Sequence, residues 1–206
     1  MRNRYNGAMS IQPRDREILD ALCHVRFFTV GQVARVWWHD AKNNLQLARR
    51  RLGQLQKAEA VVLFHAPARS ELPLAQPVAT WQPGLPGPNF GQLSRVVKGR
   101  WRGLRAATTP CVRLASSDSR EPKVVEATHD LHLAAVYLLM RHELPTRAKS
   151  WRFETEFARP GEKVPDALVR DGFSTTAIDF GGDYGPEQLK RIHDYCEERR
   201  YGYEIW

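Results

Sequence analysis

The segment "VPDALVRDGFSTTAIDFGGDYGPEQLKRIHDY", from Val164 to Tyr195, carries acids where two short apolar runs come together. Asp166 stands at the start of the first run and Asp179 at the end of the second. Glu154 and Glu156 lie on a preceding segment, "WRFETEF". Carboxylates gathered in this way are what a hard cation such as Mg²⁺ requires, and a metal held by them can drive phosphodiester cleavage if a cation such as a lysine steadies the developing charge. Lys190 and Arg191, on the helix expected after "GGDYG", are the cations within reach. On a strand alternate residues share a face, so Ala177 and Asp179 point the same way, and Asp166 can lie opposite them on a neighbouring strand. A turn or helix cap is an equally good role for Asp179. "HDLH" adds His129, Asp130 and His132, and His193 lies further on. The spacing of His129 and His132 puts them on one helical face without specifying a fourth ligand, so core or cap histidines are expected.

Several elements must position these groups. "HDLHLAAVYLLMRHEL" (129 to 144) reads as an apolar helix. "WRFETEF" (151 to 157), "VPDALVR" (164 to 170) and "STTAIDF" (174 to 180) read as strands, "PEQLKRIHDYCEER" from Pro186 as a helix, and "YGYEIW" as a last strand. The order is α, β, β, β, α, β. The stretch 106 to 127, rich in Ser, Thr and Pro with one short apolar run at Cys111 to Leu114, reads as a linker carrying one strand.

The front of the chain has a different character. Residues 1 to 120 hold 19 Lys/Arg against 7 Asp/Glu, a balance of +12, whereas residues 121 to 206 hold 12 against 16, a balance of −4. A field of the first sign attracts phosphate backbones. "PRDREILDALCH" (13 to 24) predicts a first helix with Pro in its first turn. "TVGQVARVWW" predicts a second, with Thr29 and Gln32 spaced as a capping box. "AKNNLQLARRRLGQLQKAEAVV" predicts a third, whose Leu45, Ala48, Leu52 and Leu55 form the docking stripe. The opposite face carries Asn43, Gln46, Arg50, Gln54 and Lys57, flanked by Arg49 and Arg51. Amides and guanidiniums on one exposed face can read adenine and guanine edges in the major groove. "AVVLFHA" and "PVATWQ" are expected to pair as a hairpin, completing a winged helix-turn-helix whose wing carries Arg69. A basic arm, "GQLSRVVKGRWRGLR", supplies Arg95, Lys98, Arg100, Arg102 and Arg105 for sequence-independent phosphate contact, with Trp101 packed on its own domain.

The α, β, β, β, α, β order with Pro165, Asp166 and Asp179 resembles the core of the PD-(D/E)XK nuclease superfamily. With the winged helix in front, the chain from about Arg14 resembles the plasmid replication-relaxation family, on "THDLHLAAVYLLMR", "VPDALV" and "AIDFGGDYGPEQLKRIHDY". The resemblance implies a DNA-binding protein of plasmids and other mobile elements, connected with replication control. It also exposes a departure, since the motif's second acid belongs at position 177 and its lysine at 179. Here Ala177 and Asp179 occupy those positions.

The expected architecture is therefore α+β: a winged-helix DNA-binding domain with a basic arm over 1 to 105, a linker over 106 to 127, and a small restriction-endonuclease-like αβββαβ domain over 128 to 206, without activity. The expected partner is double-stranded DNA, with a second copy of the chain as a further one. No cofactor is expected, Mg²⁺ entering only if the domain is an active nuclease. A protein-binding adaptor is the third reading. No apolar run reaches the roughly 18 residues of a membrane span, the N-terminus lacks the apolar core of a signal peptide, and three scattered cysteines fit reduced thiols in the cytoplasm.

Overall fold

A computed structural model describes residues 10–117, 120, 122–158 and 164–206. The chain is mixed α+β and divides into two units, each discontinuous in sequence: residues 1–66 with 109–121, and residues 67–108 with 122–206.

In the first unit, α1 (Pro13–Leu22) begins as its sequence requires, with Pro at the first turn and the Asp15 carboxylate accepting from the Gln12 N–H at 2.7 Å. β1 (Phe28–Thr29) leads directly into α2 (Val30–Trp37). The expected capping box is present: Gln32 N–H donates to Thr29 Oγ1 at 3.0 Å, and Thr29 N–H donates to Gln32 Oε1 at 2.9 Å. α3 (Asn44–Lys57) follows. Ile18, Val33, Ala48, Leu52 and Leu55 are all sealed from solvent, so the apolar stripe of α3 docks where the periodicity places it. Leu45 is an exception: in the first turn of α3 it is 37 % exposed, although it lies about 20° round the helix from the sealed Leu52.

The sheet of this unit departs from expectation. β2 (Val61–Arg69) shares a three-stranded sheet with β1 and with a strand from the stretch read as linker, β4 (Ala106–Leu114), in the order β1-β4-β2. β4 is central, pairing antiparallel with β1 through Phe28↔Val112 and Thr29↔Cys111. The expected partner of β2, the segment at 77 to 82, is elsewhere. Its β3 (Ala79–Trp81) pairs antiparallel with the C-terminal strand of the second unit, Trp81 lying opposite Tyr203. Strand composition alone does not specify which strand a neighbour will be, and Trp81 finds its burial among other aromatics.

The second unit also contains α4 (Phe90–Gly99), α5 (Val124–Glu143), a short α6 (Pro145–Ala148), β5 (Arg152–Phe153), β6 (Ala167–Asp171), β7 (Ser174–Asp179), α7 (Pro186–Arg199) and β8 (Gly202–Ile205). The five-stranded sheet has the order β3-β8-β7-β6-β5. The expected α, β, β, β, α, β succession is present as α5, β5, β6, β7, α7 and β8, with three differences. α5 begins within the expected linker. The expected strand at 151 to 157 is two residues of β5 followed by a 3-10 turn over Glu154–Glu156. β3 and α4, assigned from sequence to the DNA-binding half, complete this unit. β6 and β7 are antiparallel, joined by the two-residue turn Gly172-Phe173 with Gly172 at φ 59°, a left-handed conformation that suits Gly. β7 and β8 are parallel, with α7 as the crossover. Trp81, Leu93, Val97, Leu189, Ile192, Cys196, Tyr203 and Ile205 form one apolar cluster, which places α4 and α7 against the sheet.

Redrawing the units redistributes the charge. The first holds 13 Lys/Arg against 7 Asp/Glu and the second 18 against 16. The excess still favours the first unit, but the basic segment around α4 belongs to the second.

Candidate functional site

On α3 the outward residues are the polar ones. Asn43, Gln46, Arg49, Arg50, Gln54 and Lys57 are exposed, while Ala48, Leu52 and Leu55 are at 0 %. Arg51 is a correction to the expected set. It donates from Nε to Asp15 Oδ1 at 2.8 Å, makes a second bond to the other oxygen of that carboxylate, and donates to Ser10 O and Gln54 Oε1, each at 2.8 Å. Asp15 is fully buried. Arg51 holds its carboxyl below the usual range despite the opposing effect of burial, so this arginine ties α3 to α1 and is committed to the fold.

Arg100 is a second correction. It is partly buried and donates from Nη2 to Gly181 O and to Trp206 O, both at 2.8 Å, with its guanidinium 5.3 Å from the Phe180 ring centre. Burial lowers its pKa. Its donors cap two chain segments of the second unit. Arg69 is half-buried with its guanidinium 5.4 Å from the Trp101 ring centre. Trp101 itself is buried against His132 and Phe180, as its expected packing role requires. Arg95, Lys98, Arg102 and Arg105 are exposed; Lys98 lies 3.8 Å from Asp183.

The acids come together in the second unit. Ala167 pairs with Ile178, and one further step in that register sets Asp166 opposite Asp179. Both are buried and both line a cleft of about 350 Å³ with Glu154, Pro165, Tyr184, Gln188, Arg191 and Tyr195. Glu156 does not join them, because its Oε1 accepts from the Phe153 N–H at 2.8 Å and closes the 3-10 turn. Lys190 does not either: its Nζ is exposed and held by both oxygens of Asp194, at 2.8 and 2.6 Å. Of the two candidate cations on α7, Arg191 is the one on the cleft.

A titratable nitrogen base nonetheless stands at the acids. His129, on α5, places Nε2 2.9 Å from Asp166 Oδ2 and Nδ1 3.4 Å from Asp130 Oδ1. Burial disfavours its charge, but the two carboxylates prevail and hold its pKa well above the ordinary histidine value. The same Asp166 oxygen accepts from the Phe180 N–H at 2.7 Å. Asp179 is in the opposite condition. Burial, and then repulsion from Asp166, push its carboxyl well above the usual range, although the Tyr184 hydroxyl donates to it. Asp179 Oδ1 has no hydrogen-bond partner. One oxygen of Asp166 is thus engaged by two neighbours, and Asp179 is held towards the neutral acid.

His132, one turn from His129, is a core histidine as expected. Its Nδ1 donates to Thr128 O at 2.6 Å and its Nε2 accepts from the Leu72 N–H at 2.8 Å, which fixes a neutral ring. Burial first, then the charges of Arg100 and His129, bring its pKa down to about 4. His193 is likewise buried, edge-on to Trp81. Tyr184 and the pairing of His129 with Asp166 were missed in the sequence. The family motif fixes only strand positions, whereas these groups arrive from a loop and from a helix about 37 residues upstream.

Among the described residues no group of three or more His, Cys, Asp or Glu is placed to hold an ion, and one oxygen of Asp166 already meets the His129 ring and the Phe180 amide. Among the same residues no helix is long and apolar enough to cross a membrane. No family model, curated protein or solved structure is matched by the chain.

Proposed function

We propose that the chain is a double-stranded DNA-binding protein of a plasmid or other mobile element, acting in control of replication, transfer or transcription. In this reading the first unit is a winged helix, α3 is its recognition helix, and β2 and β4 form the wing. The observation that carries the reading is the division of α3 into a sealed face of Ala48, Leu52 and Leu55 and an exposed face of Asn43, Gln46, Arg49, Arg50, Gln54 and Lys57. Such amides and guanidiniums match the donor and acceptor pattern of purine edges. The exposed Arg95, Lys98 and Arg102 supply phosphate contacts that add affinity at any sequence.

The second unit is proposed to have the PD-(D/E)XK-like arrangement without its chemistry. Ala177 leaves the second acid position empty, Asp179 replaces the cation, and His129 occupies Asp166. Gel shifts with the whole chain test the reading: binding should fall steeply with salt, and Arg50→Ala should cost about 1 to 3 kcal/mol on a preferred duplex. Absence of duplex binding at low salt would overturn it. Incubation of supercoiled, linear and single-stranded DNA with Mg²⁺ or Mn²⁺ should give no cleavage above an Asp166→Ala control; metal-dependent nicking lost in that control would favour the nuclease.

A further inference from the structure

Leu45 stands out on α3 as an apolar side chain left at the surface in the first turn, 37 % exposed, while Ala48, Leu52 and Leu55 carry the docking. It lies about 60° round the helix from Ala48 and about 40° from Arg49, one turn on. Its exposed neighbours are Asn43, Gln46 and Arg49. Leu45 thus stands where the sealed stripe, with Leu52 about 20° away, gives way to the exposed polar face, whose nearest member is Arg49; a leucine at such an edge gains nothing from water. Thymine is the base whose major-groove edge presents a methyl group, and an apolar contact is how a protein distinguishes it. Recognition helices place their N-terminal residues nearest the base edges, which is where Leu45 lies.

We propose that Leu45 is a specificity-determining residue that recognises the 5-methyl group of a thymine beside the purines read by Gln46 and Arg49. This rests on the reading of α3 as the recognition helix and names one feature of the site it prefers. The test uses the whole chain and a duplex that it selects from a random pool, with each thymine replaced in turn by deoxyuridine, which removes the methyl group alone. At one thymine the replacement should weaken binding about fourfold, the equivalent of one buried methyl group. Leu45→Ala should bind the thymine and deoxyuridine duplexes alike, Leu45→Met should keep the difference, and the affinity of all three proteins for unrelated duplex should agree, showing that each is folded. Indifference of the unmodified protein at every thymine, or an undiminished preference in Leu45→Ala, would overturn the inference while leaving DNA binding intact. A chain that binds no duplex even at low salt would overturn the recognition-helix reading and this inference with it.

Discussion

Asp179 is under electrostatic stress in the second unit: buried, facing Asp166, and with one oxygen lacking a partner. An acid whose pKa is raised on folding contributes fully below its unfolded value and loses that contribution as pH rises through the folded one. Asp179→Asn keeps an acceptor for Tyr184 and removes the charge, so it should raise stability by about 0.5 to 2 kcal/mol at pH 8, and by less at pH 5. Urea unfolding at the two pH values measures this; an equal or negative effect at pH 8 would show that the carboxylate is not strained. His132 titrates with the other sign. Its folded pKa of about 4 lies below the ordinary value, so its contribution is present above about pH 6.5 and is lost as pH falls towards 4, roughly 3 kcal/mol at most. His132→Gln should flatten the fall in urea midpoint between pH 7 and pH 5. At this scale the sequence was partly legible. Strand alternation and the register of two apolar runs suffice to bring Asp166 and Asp179 together. Which acid would be paired and which orphaned depends on what α5 and the Tyr184 loop deliver, and spacing along one segment carries no information about that.

Local elements were the most legible level, because their causes are local. The capping box at Thr29 and Gln32 and the docking stripe of α3 follow from side-chain reach and the 3.6-residue period. Arg51 was misassigned because it lies at the boundary of the exposed face, where a buried acid on another helix, Asp15, outcompetes solvent for it. β4 was legible only as the short apolar run Cys111 to Leu114 within a linker. Its Thr- and Pro-containing start gives no strand signal until a sheet with two open neighbours claims it, and here it is the central strand between β1 and β2. It follows that a fragment ending at residue 105 lacks the strand that joins the other two. Such a fragment should be unfolded or aggregated by circular dichroism and gel filtration, whereas the whole chain is folded; a cooperative thermal transition in the fragment would show that β4 is dispensable. Leu52→Ala in the whole chain should cost about 2 to 5 kcal/mol, since a fully buried leucine would leave a cavity.

At the scale of the molecule, the two units are interleaved along the sequence rather than consecutive. Residues 67–108 leave the first unit and return to it, and on the way they supply β3, α4 and Arg100 to the second. The early charge imbalance therefore does not mark a domain boundary. Some of those cations, such as Arg69 and Arg100, serve the second unit's interior, while others on α3 remain at the surface of the first. Interleaving also means that severing the backbone between Leu72 and Gln76, ahead of β3, would not yield one piece per unit. The N-terminal piece would hold three helices and two strands awaiting β4, and the C-terminal piece would hold β4 together with the second sheet. Expressed as two separate polypeptides, 1–75 and 76–206 should each be incompetent alone and should co-purify when made together, reconstituting a nicked protein whose halves are held by strand pairing in place of a covalent bond.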